Sequence, residues 1–315
     1  MKLLELVKDI NKKDKKGVPN WMLGTFKRRS ISFYNGLSDN TTDVFWIQSR
    51  NFTIDLRLPK EIIEKKELAA YTKENLSEIA NYEGWVADSI FDGEKLFWEG
   101  GIFYQNRNKW PEPAFMKKIG NCMLEFCPSN VYVEDWRLQN SKNDYLIGLR
   151  VVQEIDLETN ESRRSDGGLI ICGEFAAICL GREKSLEDRF SSMNYTLEDI
   201  LLNKEYSLDE KKEYLNFETS IAKGSLEKGY KIFASTNPNR YDEELTKLDG
   251  FQLENKEGEV SQLFEENGKK FKRIYEIDII DSDFNFETKT DTTEEAKSWF
   301  KKESRTLNRY LDYLK

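Results

Sequence analysis

Three residues on one short stretch carry the chemistry that this sequence offers most openly. Residues 119–138 (IGNCMLEFCPSNVYVEDWRL) read as two strands joined by a turn at Cys127-Pro128-Ser129-Asn130. Side chains alternate along a strand, so Tyr132, Glu134 and Trp136 share one face, while Val131, Val133 and Asp135 share the other. Glu125 falls on the paired strand. Two carboxyl groups close together in a low-dielectric site do not both ionise readily, so one keeps its proton towards neutral pH. With Tyr132 as hydrogen-bond donor, such a pair could run an isomerisation, dehydration or cyclisation without a cofactor. Glu125, Glu134 and Tyr132 are therefore the candidate catalytic residues. The competing reading pairs each glutamate with Arg57, Arg137 or Arg150 in a structural ion pair. The substitution Glu134→Gln separates the two: binding or turnover is lost from an intact fold on the first reading, and folding itself on the second.

A second set consists of Trp46, Gln48, Asp55, Arg57, Trp98, Trp136, Arg150 and Glu174, all on expected strands. A small antiparallel barrel of about eight strands can hold one small ligand. If a good share of these side chains point inward, they line a pocket with aromatic walls and a few orienting charges. They are the candidate ligand-binding residues. Residues 52–58 state the ambiguity well: Phe52, Ile54, Leu56 and Leu58 form one row, and Thr53, Asp55 and Arg57 the other. In a half-exposed sheet the polar row faces water. In a closed barrel with a polar cavity, Asp55 and Arg57 point inward as an ion pair beside Trp46 and Gln48.

Composition narrows the chemistry further. The 315 residues include no histidine, which removes Ser-His-Asp and Cys-His catalysis, histidine metal sites and a histidine-held haem. Acid–base work falls to Asp, Glu, Lys, Tyr or Cys. The four cysteines, at 122, 127, 172 and 179, could meet as a four-thiolate zinc site, but their setting in apolar strands favours buried free thiols. No metal and no cofactor are expected, and neither a P-loop nor a GxGxxG spacing occurs. A net charge of −9 and one short basic cluster, Lys12-Lys13-Asp14-Lys15-Lys16, argue against nucleic acid or a membrane surface as partner. The N-terminus lacks the pattern of a secretory signal, and no apolar run would span a bilayer. A soluble, cytoplasmic protein is expected, whose partner is a small molecule; a protein partner or a homodimer stays open.

The elements that must position these residues follow from periodicity. Aromatic residues make up 13% of the chain, which favours β-rich packing. Strands are expected over 26–33, 43–48, 52–58, 84–91, 95–105, 145–157, 168–180, 215–221, 230–235 and 272–280, with 106–114 a loop and 242–270 a charged excursion from the sheet. Helical patterns cover 2–11 (Leu3, Leu6, Val7, Ile10), 60–80 with Thr72 as a cap, and 196–214 opened by Thr196. The capping box Thr292-x-x-Glu295 opens a last helix whose stripe runs Trp299, Phe300, Leu307, Tyr310, Leu311 and Leu314; it should pack on a barrel or on a partner. The chain divides into an N-terminal helical extension (1–20), a barrel region (21–190), a second β-rich region packed on the first (191–285) and a C-terminal amphipathic helix (286–315).

Several phrases together resemble a known family. They are Lys27-Arg28-Arg29-Ser30-Ile31, TTDVFWIQSRNFTIDLRLP (41–59), LEF…VYVEDW, GGLIICGEFAAICLGR (167–182), FETSIAKG (217–224) and YKIFASTNPNR (230–240). The pattern, running from about Trp21 to Ile280, is similar to bacterial proteins that resemble a fungal casein-kinase-interacting protein. The resemblance implies a mainly β, antiparallel lipocalin-like (calycin-type) barrel, one or two packed together, with a few peripheral helices. It carries over neither a reaction nor catalytic residues.

Overall fold

The computed structural model describes residues 1–10, 12, 16–61, 63–110 and 112–309. Its first half is an antiparallel barrel built from β1 (Gly24–Phe33), β3 (Asp43–Gln48), β4 (Phe52–Leu58), β5 (Glu83–Phe91), β6 (Lys95–Phe103), β7 (Ala114–Ile119), β8 (Cys122–Phe126) and β9 (Tyr132–Leu138), with the short β2 (Ser38–Asp39) beside β1. Each strand pairs with the next, and β1 pairs with both β3 and β9, which closes the ring. Closure removes the exposed edges that an open sheet of this size must otherwise protect. The pairing of β1 with β9 contains a bulge at Arg29. The extra residue lets Phe26 and Arg28, and then Ile31 beyond the bulge, share the inner face. The turn expected at 127–130 forms, with Asn130 in the left-handed region at φ 59°. β7 is an addition to the expected strands: its Lys117 and Lys118 mask any apolar alternation.

The second sheet runs in the order β15-β14-β13-β12-β10-β18-β17-β16. Its members are β10 (Asp144–Asp156), β12 (Gly167–Cys172), β13 (Phe175–Leu180), β14 (Glu218–Ser225), β15 (Gly229–Ser235), β16 (Phe251–Leu253), β17 (Glu259–Glu266) and β18 (Lys269–Phe284), with β11 (Ser162–Arg164) paired to β10. The strands thus divide between Leu138 and Asp144, so β10 to β13 leave the region 21–190 and join the second sheet. The run 168–180, expected as one strand, is a hairpin turning at Gly173-Glu174, with Gly173 at φ 58°. Its residues are continuously apolar because both faces are covered. Ile170, Cys172, Ala177 and Cys179 face the barrel, while Leu169, Ile171, Ala176 and Ile178 face the other way onto α1 (Leu3–Asp9). The segment 242–270 is less of an excursion than its charge suggests, since it supplies β16 and β17.

Helix α1 is not an extension on the outside. Leu3, Leu6 and Val7 are buried in the hollow of the second sheet, and the start of the chain is tied to Leu248 and Phe251. Against the barrel the contact is tight: a Cβ on Gly168 would lie 2.7 Å from the Phe52 ring. Asp278 of β18 accepts from Ser49 and Asn51 at the β3–β4 turn. Small helices cover one flank: α2 (Lys73–Ala80), capped by Thr72 as expected, α3 (Lys184–Ser191), α4 (Leu197–Leu202), capped by Thr196, and α5 (Leu208–Leu215). Only 73–80 and a short 3-10 turn at Leu68–Ala70 of the expected helix 60–80 form. The last helix, α6 (Glu294–Leu307), is capped by Thr293 rather than Thr292 and has no buried residue. Its Trp299 and Phe300 are 56% and 49% exposed, so it does not pack on the barrel. Tyr310, Leu311 and Leu314 of the expected stripe lie outside the described residues, as do Lys13, Asp14 and Lys15 of the basic cluster. No described helix is long and apolar enough to cross a membrane.

Candidate functional site

The polar row of β4 points into the barrel. Trp46 and Asp55 are register partners on β3 and β4, as are Asp55 and Trp85 on β4 and β5. Their side chains therefore share the inner face, and Arg57 joins them two residues on. Arg57 Nε donates to Asp55 Oδ1 at 2.9 Å. This arrangement holds because the apolar row, Phe52 to Leu58, faces the second sheet and takes the place of a conventional barrel core. On β8 and β9, Glu125 and Glu134 are direct register partners, and both are buried, with Glu134 only 1% exposed.

These carboxyl groups sit in different surroundings. Glu134 accepts from Arg28 Nη1 at 2.7 Å, and Arg57 Nη1 stands 3.9 Å from the same oxygen. Arg28 also reaches Asp39 at 2.6 Å. Glu125 accepts from Trp136 Nε1 at 3.0 Å and from the Tyr132 hydroxyl at 3.2 Å, both of them neutral donors. Burial, and then the charge of Glu134, push the Glu125 carboxyl well above the usual range. Burial also raises Asp55 to about 6, against the pull of Arg57. Burial disfavours the Arg57 charge, but Asp55, Glu134 and Glu83 more than offset it and hold the guanidinium above its ordinary value. Tyr132 is pushed up by burial and by the two glutamates.

Above the carboxyl groups lies a chain of indoles. Trp46 meets Trp136 at 5.6 Å and Trp98 at 6.3 Å between ring centroids, and Trp98 meets Trp85 at 6.3 Å. The void between these rings, Asp55, Arg57 and Glu125 measures about 20 Å³, room for about one water molecule. Three buried donors around it have no hydrogen-bond partner among the described residues: Trp85 Nε1, Trp98 Nε1 and Arg57 Nη1. Beyond Arg57 and Trp110, which border both spaces, a vestibule of about 370 Å³ opens between Arg28, Asp39, Tyr82 and Glu83. Trp110 comes from the β6–β7 loop. Its indole lies 4.5 Å from the Arg57 guanidinium and 5.6 Å from the Tyr132 ring, and donates to Glu83 Oε2 at 2.8 Å.

Of the candidate residues, the barrel brings together Glu125, Glu134, Tyr132, Trp46, Asp55, Arg57, Trp98 and Trp136. Gln48 serves the scaffold. It accepts from Trp46 Nε1 and Ser89 Oγ, each at 3.1 Å, and donates to the carbonyls of Ser49 and Phe52. Arg150 lies outside the barrel, between the sheets, paired with Asp166 at 2.9 Å and Asp88 at 3.7 Å. Glu174 is exposed in the β12–β13 turn. Strand membership alone points both to the interior, whereas their strands belong to the other sheet. Sequence reasoning missed Arg28, Glu83, Trp85 and Trp110. Alternation with Phe26 on β1 could have found Arg28, and pairing of β4 with β5 could have found Trp85. Trp110, in an aperiodic loop, left no such signal.

All four cysteines are free, and Cys127 donates to Glu112. Among the described residues no group of three or more Cys, Asp or Glu side chains is placed as metal ligands would be. No protein-family model, no curated protein and no solved structure matches the chain.

Proposed function

We propose that the protein binds a small organic molecule at the mouth and interior of its barrel, and that acceptor oxygens of this molecule meet the unpaired donors there. One observation carries the reading: Trp85 Nε1, Trp98 Nε1 and Arg57 Nη1, the last with only the Glu134 oxygen at 3.9 Å, have no hydrogen-bond partner among the described residues and belong to three residues that line one void. Buried donors are nearly always paired, and one left unmade costs about 1–3 kcal/mol. Three at one place suit an oxygen acceptor, and a ligand's oxygen can take the position that the void gives to one water molecule. The vestibule of about 370 Å³ has the size of small-molecule sites, roughly 300–1,000 Å³. Arg28 and Arg57 already hold Glu134 and Asp55, so little net positive charge remains. A carbonyl or hydroxyl oxygen therefore suits the donors better than a strongly charged anion.

Acid–base turnover of the bound molecule is the second reading, supported by the raised Glu125 carboxyl beside Tyr132 and Glu134. Four free thiols are in keeping with a reducing, cytoplasmic setting. The likeness in sequence to the lipocalin-like bacterial family belongs to the same proposal. Native mass spectrometry of the purified protein, followed by extraction, tests it. A stoichiometric small molecule with acceptor oxygens is expected, and its loss from Trp85→Phe/Trp98→Phe. Retention of that molecule by the double variant at unchanged occupancy would refute the assignment. Should Glu125→Gln retain the native substrate while the native protein releases a product, the site is an enzyme's.

A further inference from the structure

The mouth of the barrel is filled by a side chain whose own contacts describe what the site accepts. The Trp110 ring has one face on the Arg57 guanidinium at 4.5 Å, an edge against Tyr132 at 5.6 Å between centroids, and its N–H on Glu83 at 2.8 Å. Those are a stacking surface for a flat ring, a lateral wall and an acceptor for an in-plane donor. The ring also stands where the vestibule meets the void, since Trp110 lines both. The loop carrying it is fastened on either side. Asn106 donates to the carbonyls of Met193 and Tyr195 at 3.1 and 2.8 Å, and Glu112 accepts from Cys127. Trp110 itself is held by its backbone N–H to Asn108 and by contacts of its ring, which is half-buried. Among the described residues that line the void, Trp110 and its neighbour Asn108 lie outside the strands, so this ring can move without breaking a strand pairing.

Resting on the reading of the barrel as a ligand site, we infer that Trp110 is a placeholder and that the ligand is a flat nitrogen heterocycle. Its ring N–H would replace the Trp110 indole on Glu83, and an acceptor oxygen would reach Arg57 Nη1 and the Trp85 and Trp98 indoles. The void alone is too small for any such molecule. With the Trp110 ring displaced, void and vestibule become one cavity, with an acidic acceptor at one side and three donors at the floor.

Indole and indene, which differ chiefly in the ring N–H, are the probes, titrated into the native protein and Trp110→Gly. Indole should bind Trp110→Gly at least tenfold more tightly than the native protein, where it must displace the resident ring. It should also bind at least tenfold more tightly than indene, about 1.4 kcal/mol, as expected of a hydrogen bond to a charged group. In native protein labelled with 5-fluorotryptophan, saturating indole should shift the Trp110 resonance, identified by its absence from Trp110→Phe. Equal affinities for indole and indene, or binding that leaves the Trp110 resonance in place, would overturn the inference. The fluorine experiment alone decides if Trp110→Gly fails to fold. A non-aromatic carbonyl compound that binds while indole does not would defeat the placeholder and leave the wider ligand proposal standing; failure of both would defeat both.

Discussion

Glu125 and Glu134 stand opposite each other on adjacent strands, yet one is held by guanidinium groups and the other by an indole and a phenol. Their substitutions should therefore differ. Glu134→Gln leaves buried Arg28 short of a partner, and breaking such a pair costs about 3–5 kcal/mol. We expect that loss in denaturant unfolding, which makes Glu134 a member of a structural ion pair first. Retained stability within about 1 kcal/mol would show that Asp39 alone satisfies Arg28. The raised Glu125 carboxyl gives the opposite pH behaviour from an ion-paired acid. Above about pH 4.3, where the unfolded glutamate releases its proton, the folded chain still holds it. Stability from this group is full below that pH and declines as pH rises towards the folded value. Asp55 acts in the same direction, its contribution falling away as pH rises through about 6. Glu125→Gln keeps a carbonyl for Trp136 but cannot ionise. Its stability relative to native should rise as pH climbs above about 4.3, by up to about 1.4 kcal/mol per pH unit. Parallel pH curves for variant and native protein would contradict the assignment.

At the scale of elements, alternation makes most of the barrel legible. From the order of residues alone, Tyr132, Glu134 and Trp136 fall on one face of their strand, and Thr53, Asp55 and Arg57 on one face of theirs. Which of those faces points inward is not legible in the same way, because it depends on what covers the outside. The apolar row of β4 is buried by strands more than a hundred residues away. The bulge at Arg29 escapes for a similar reason: it is fixed by pairing with β9, not by local residue type. Arg150 and Glu174 show the cost, since strand membership alone says nothing about which sheet a strand joins. The same partition decides the worth of the terminal helices. Leu6 of α1 is 1% exposed within the second core, so Leu6→Ala should lose about 2–5 kcal/mol by thermal or denaturant unfolding; a loss below about 1 kcal/mol would return α1 to the periphery. Helix α6 has no buried residue, and truncation after Asp291 should alter stability by no more than about 0.5 kcal/mol.

Over the whole molecule, barrel and second sheet share one apolar core that runs from Phe26 and Trp46 to Ile170 and Ile279. Asp278 and Arg182 bind the halves further, the latter donating to carbonyls of Tyr104 in the barrel flank and Tyr214 in α5. Such a shared interior should unfold in a single step. Tryptophan fluorescence, to which Trp46, Trp85, Trp98 and Trp136 of the barrel strands contribute, and far-UV circular dichroism should give coincident transitions; separated midpoints would mean two independent domains. The three donors with no hydrogen-bond partner among the described residues, on Arg57, Trp85 and Trp98, belong to strands of the closed ring. The most direct test of the ligand site watches those donors. In a ¹H–¹⁵N spectrum the protein's 7 tryptophans give separate indole N–H signals, assignable by Trp→Phe substitutions. During titration with small carbonyl- and hydroxyl-bearing heterocycles, a true ligand should move the Trp85 and Trp98 signals together, as each gains an acceptor. Trp46 and Trp136, already bonded to Gln48 and Glu125, should move far less. A set of binders that shifts neither Trp85 nor Trp98 would contradict the claim that the barrel interior is the binding site.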